Sequence, residues 1–173
     1  MAAVLRVDSD VSPMIRFLDQ FVETVLAAAK WLALPVVVLL FLQWPLRSLV
    51  GAYSTQANDL GQWLFALYVA ASITAATRAE THLAADTLAR RYSDVWRERL
   101  QRAGALVSLI PWSFIVLWTS RQIVLNSIAQ LERFPDTFDP GYFVIKAALW
   151  LLALLILIEG VITLLRPGRA ERP

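Results

Sequence analysis

Four ionisable residues, Lys30, Arg121, Lys146 and Glu159, stand inside long apolar stretches of this 173-residue chain. A charge set among apolar neighbours is costly, so such residues are kept where they pair, carry protons or line a path. Glu159 lies about two turns before the end of the last apolar stretch, and Lys30 lies at a similar depth on the first. Two readings compete for Glu159. Paired with Lys30 it is a structural ion pair or a hydrogen-bonded acid; otherwise it is a proton-coupling acid. Asp59 and Arg121 stand at matching depth near the opposite end and form a second candidate pair. Lys146, about one turn inside its stretch, can snorkel to the interface.

Little else in the chain points to chemistry. Cysteine is absent, which excludes disulfide scaffolds, thiolate metal sites and thiol oxidoreductases. The single histidine, His82, cannot supply the paired axial ligands of a membrane haem protein. Asp86 shares a helical face with His82, but two ligands do not make a metal site. No catalytic set, cofactor site or metal site is expected. Pro35 and Pro111 interrupt two apolar stretches. Paired breaks can mark unwound, ion-binding helices, but the Gly, Ser and Asn that unwinding recruits are scarce here, so simple kinks are expected. Trp31, Trp44, Trp63 and Trp96 fall near interfaces, whereas Trp112, Trp118 and Trp150 lie deeper and are candidates for facing a partner protein or lipid.

The elements that hold these residues are membrane helices. Hydrophobic residues make up 58% of the chain and charged residues 17%, and the mean hydropathy is +0.56. A soluble protein of this size cannot hide so much apolar surface, which excludes disorder and a soluble enzyme. The net charge of +2 is no nucleic-acid signal, because the positive residues lie between and beyond the apolar stretches. A spanning helix needs roughly 20 apolar residues, and four stretches supply them, at about 25–46, 60–77, 103–125 and 142–165. The expected fold is one all-α integral membrane domain of four transmembrane helices. The first stretch is too long, and what precedes it too acidic, for a cleavable signal peptide.

Arginine and lysine in the connections set the orientation. Eleven lie in the N-terminal segment, the link after the second stretch and the tail, among them Arg6, Arg78, Arg90, Arg97 and Arg169; the other two connections hold only Arg47 and Arg133. That bias puts both termini and the central link in the cytoplasm. Ser12-Pro13 reads as a helix start. After it, Met14, Ile15, Leu18, Phe21 and Val22 repeat at helical spacing opposite Arg16, Asp19, Gln20 and Glu23, which predicts an amphipathic helix over 13–24, lying along the interface or else extending the first span into the cytoplasm. Ser93 is placed to cap a further helix, in which Glu98 and Arg102 form an i,i+4 pair. From Asp94 to Leu125 that helix would run about 48 Å, against about 30 Å of hydrocarbon, so it should protrude or tilt. Asp139-Pro140 reads as the cap and first residue of the last helix.

With this architecture in place, the stretch Arg78-Ala79-Glu80-Thr81-His82-Leu83-Ala84-Ala85-Asp86-Thr87-Leu88 carries a resemblance. A basic residue, then His, an aliphatic residue and, after a gap, Asp and Leu resemble a pattern of the DctQ-like small membrane subunit of TRAP (tripartite ATP-independent periplasmic) transporters. Asn58-Asp59-Leu60 and the run from Pro135 to Pro140-Gly141 are similar in kind, and the likeness covers almost the whole chain. Ala85 departs from it, standing where that family often has a bulkier aliphatic residue. The resemblance implies a subunit without catalysis of its own. Its partners would be a large membrane subunit that moves solute with sodium ions, a periplasmic substrate-binding protein that often captures organic anions, and membrane lipids. The small subunit would brace the large one and help form the docking surface. The rival readings are a small four-span proton-coupled exporter using Glu159 and an orphan four-helix membrane enzyme.

Overall fold

The computed structural model describes residues 13–49, 51, 54–79 and 93–165. The expected helix start at Ser12, the motif residues 80–88 with His82 and Asp86, and the basic residues Arg6, Arg90, Arg91, Arg166, Arg169 and Arg172 lie outside them. The described residues are mostly helical, with no strand among them and one isolated bridge, between Arg133 and Pro140, in the connection before the last helix. Four of the helical runs are long and apolar enough to cross a membrane.

The first run is broken in the middle. α1 (Pro13–Lys30) and α2 (Ala33–Leu49) are separated by Trp31 and Leu32, whose amides bond three residues back, to Ala28 (3.2 Å) and Ala29 (3.0 Å). Pro35 explains the position. Having no N–H, it cannot bond the carbonyl of Trp31, so the ladder is interrupted one turn before the proline itself. Ile15, Val22 and Ala29 are the buried residues of α1 and recur every seventh position, whereas α2 buries only Val36.

α3 (Thr55–Arg78) starts at an N-cap, where the Ser54 hydroxyl accepts the Ala57 amide at 3.2 Å. α4 (Asp94–Gly104) follows Ser93, which has the extended backbone of a cap (φ −64°, ψ 154°) but makes no capping hydrogen bond with its side chain. The expected Glu98–Arg102 pair is present at 2.7 Å. A π-helical turn, Ala105–Leu109, then carries α4 into α5 (Ile110–Ala129) without a break in direction. The wider turn sits just before Pro111, where a regular ladder would leave a carbonyl unbonded.

α6 (Tyr142–Leu165) is the axis of the bundle. Its buried residues include Ala148, Ala153, Leu155, Ile156, Gly160 and Ile162, and it packs along α3 and α5 and touches α1 and α4. The helix does not begin at Asp139-Pro140 as expected. Pro140 is held in the bridge to Arg133, and Gly141, at φ +140°, makes the turn into the helix and accepts the Val144 amide at 2.9 Å. At Gly160 the packing is closest. A Cβ there would lie 2.9 Å from Ile110 Cγ1 and 3.7 Å from Leu109 Cβ, so glycine is what lets α6 approach the π-turn.

Candidate functional site

The long-range bonds between polar side chains of this apolar bundle gather at its two ends. At one end α3 finishes with Arg78, whose side chain is only 19% exposed. Its Nη1 donates to Glu159 Oε1 of α6 at 3.0 Å, and its Nη2 donates to Asp19 and reaches Glu23 Oε1 at 3.5 Å. Asp19 and Glu23 are one turn apart on α1, so a single planar guanidinium ties three helices together. Glu159 itself is buried. The arrangement takes up hydrogen-bonding capacity of the carboxylate that a proton-driven exporter would need.

Lys30 is not part of this clasp. It is exposed, and Glu159 meets Arg78 at the level of Asp19 and Glu23 on α1. Seven residues separate Glu23 from Lys30, about 10 Å of helix, which puts the ammonium at another depth. The expected Lys30–Glu159 pair is therefore replaced by Arg78–Glu159. The expected depth of Lys30 followed from beginning the membrane span at Val25, whereas the helix expected over 13–24 runs on into it as one element, α1, and its earlier turns with Asp19 and Glu23 stand level with Glu159. Between α1 and α3 lies a cleft of about 590 Å³, lined by Leu26, Ala33, Ala71 and Ala75 with Glu23, Lys30 and Arg78.

The opposite end is tied by the connection from α5 to α6. Asp59, buried one turn into α3, accepts a hydrogen bond from Thr137 Oγ1, which in turn accepts the Asp139 amide at 3.4 Å. Asp59 is thus joined to the connection and not to Arg121. Arg121 is exposed on α5, its guanidinium 5.0 Å over the ring of Trp118. The connection is closed by backbone bonds between Phe134 and Asp139 and between Phe138 and Phe134, each 2.9 Å. Phe138, at φ 58°, occupies the left-handed region usually left to glycine and is exposed at the tip. At its base, Glu132 accepts from Lys146 Nζ and from the Ser127 hydroxyl. Those donors, Lys146 first, hold the Glu132 carboxyl below its ordinary 4.5. Lys146 therefore has a protein partner at the interface. A polar pocket of about 490 Å³, lined by Thr55, Gln56, Asp136 and Asp139 among others, opens between this connection and the start of α3.

The deep tryptophans divide. Trp112 and Trp118 are exposed on α5, whereas Trp150 is half-buried and its indole N–H donates to the Leu117 carbonyl at 3.3 Å. Trp150 is spent on joining α5 to α6. The sequence reading missed Arg78 and Thr137 as polar partners. Arg78 had a signal, since it ends an apolar stretch on the side shared by Asp19, Glu23 and Glu159; Thr137 had none, because its position depends on how the connection folds.

A comparison with protein families matches residues 36–169 to the tripartite ATP-independent periplasmic transporters, DctQ component. No curated protein and no solved structure matches the chain.

Proposed function

Because that match spans more than half of the chain, the protein belongs to the DctQ component family of tripartite ATP-independent periplasmic transporters, and we propose that it is the small, non-catalytic membrane subunit of a sodium-coupled transporter for an organic acid or similar solute. In this reading it braces the large membrane subunit in the inner membrane and helps dock the periplasmic substrate-binding protein. Both termini and the basic link after Arg78 face the cytoplasm, and the connection from α5 to α6 faces the periplasm. The first half of α1 lies in the cytoplasmic interface as an amphipathic helix.

The observation that carries the reading is the use made of Glu159. On a four-helix chain that moved protons or solute alone, a deep acid would have to exchange partners during each cycle. Here it is bound to Arg78 in a junction of three helices, which suits a rigid brace. The test compares the chain alone with the chain beside its large subunit and binding protein. Uptake should require all three components, and Glu159→Gln should retain appreciable uptake. Substrate-dependent ion flux in liposomes holding this chain alone, lost in Glu159→Gln, would instead establish the exporter.

A further inference from the structure

The outward faces of α2 and α5 differ in chemistry. Between Ala33 and Pro45, α2 exposes apolar residues such as Val37, Val38, Phe41 and Leu42, with Gln43 half-buried; Trp44, exposed next to Pro45, is the indole of that stretch and stands towards the helix end. The apolar part of that face meets acyl chains without cost. On α5, Ile115, Trp118, Gln122 and Leu125 follow one another at a spacing of three, four and three residues, and all are exposed. Trp112 flanks this stripe on one side and Arg121 on the other.

These side chains sit at membrane depth. The continuous run from Glu98 to Ala129 has 32 residues, about 48 Å of helix against about 30 Å of hydrocarbon. Centred on its midpoint, about 30 Å of hydrocarbon would cover roughly residues 104–123, which puts Trp112 and Trp118 well inside and Arg121 and Gln122 within a turn of its edge. Among the described residues the indole N–H of Trp112 and the carboxamide of Gln122 have no hydrogen-bond partner, and Arg121 has no carboxylate within 4.0 Å, only the Trp118 ring. The indole of Trp150, by contrast, is satisfied within the chain. The stripe thus carries unpaired donors on Trp112 and Gln122, one acceptor in the Gln122 carboxamide oxygen, and a positive charge without a carboxylate beside it. Acyl chains offer the indole no acceptor.

We propose that this face of α5 seats a spanning helix of the large membrane subunit, one that presents hydrogen-bond acceptors to Trp112 and Gln122 and a carboxylate within reach of Arg121. The alternating spacing of three and four residues favours a left-handed crossing at a shallow angle, the geometry common between membrane helices. The proposal rests on the subunit reading above, and its test separates the two. A photo-crosslinking residue is placed at Ile115 or Gln122 on α5, and at Val37 or Phe41 on α2, in the complex with a tagged large subunit. Adducts to the large subunit should form several-fold more from α5 than from α2. Adducts confined to α2, or none from any position while the large subunit still co-purifies, would overturn this face and leave the subunit reading intact. Adducts of the chain to itself from Ile115 and Gln122 would replace the proposed occupant by a second copy. Loss of co-purification of the unaltered chain would remove both readings. Arg121→Gln should weaken co-purification several-fold, and anionic phospholipid should not restore it. Restoration by lipid, or no change, would assign Arg121 to headgroups and overturn the carboxylate.

Discussion

Arg78 and Lys30 are both cations near the acids of α1, and the structure gives Glu159 to the first. Replacing Arg78 by leucine leaves a buried carboxylate without its guanidinium, a change worth about 3–5 kcal/mol where buried ion pairs are broken. Lys30→Met should stay within about 0.5 kcal/mol, as exposed substitutions usually do. Thermal unfolding in detergent measures both, and a double-mutant cycle of Arg78→Leu with Glu159→Leu should show strong coupling where Lys30→Met with Glu159→Leu shows none. Glu132 permits a test by pH. Its carboxyl is lowered in the folded chain by Lys146 and Ser127, so the unfolded chain binds the proton more readily. The stabilisation is then complete above about 4.5 and is lost as pH falls through the lower folded value. Unfolding followed from pH 7 down to about 3 should show this loss, and Glu132→Gln should flatten that part of the profile. Residue types announced where polar groups would matter: Glu159 and Asp59 both stood out in sequence. Their partners were not paired with them: Lys30 was chosen over Arg78 because the span was begun at Val25 although α1 runs from Pro13 through that point, and Thr137 reaches Asp59 only through the fold of the connection.

At the scale of elements, the four long apolar helices were legible because hydrocarbon thickness fixes how many apolar residues a span must have. The breaks within them were less so. Pro35 was expected to kink its helix, and the interruption falls at Trp31 and Leu32, where the missing amide takes effect. The π-turn before Pro111 left no trace in hydropathy, since all five of its residues suit an ordinary helix. Its packing does have a signature in Gly160, the glycine facing Ile110. Gly160→Ala should force Ile110 aside and destabilise the fold by about 1–3 kcal/mol, the usual cost of overpacking. Ile110→Ala added to Gly160→Ala should recover part of that loss. Thermal midpoints of the single and double variants check it; an unchanged midpoint for Gly160→Ala would mean that α5 and α6 are not held this close.

For the whole molecule, the proposed reading sets the two polar ends on opposite sides of the membrane, with the arginine-rich end expected in the cytoplasm. The Arg78 end leads into the link that carries Arg90, Arg91, Arg97, Arg99 and Arg102, and positive residues of short links are retained in the cytoplasm. The Asp59 end is closed by the connection bearing Asp136 and Asp139, with Arg133 as its one arginine. Because the chain has no cysteine, single cysteines report their side without background. Gln56 and Asp136 line the pocket at the Asp59 end and are exposed, as are Ser93 and Arg99 near the other. Cysteines at Gln56 and Asp136 should react with an impermeant maleimide in intact cells, and cysteines at Ser93 and Arg99 only after permeabilisation. The reverse pattern would place the Arg78 clasp outside and the loop bearing Phe138 inside, where no periplasmic protein could reach it. Labelling at both ends in intact cells would mean that the chain inserts in two orientations, which a brace for a single large subunit could not tolerate.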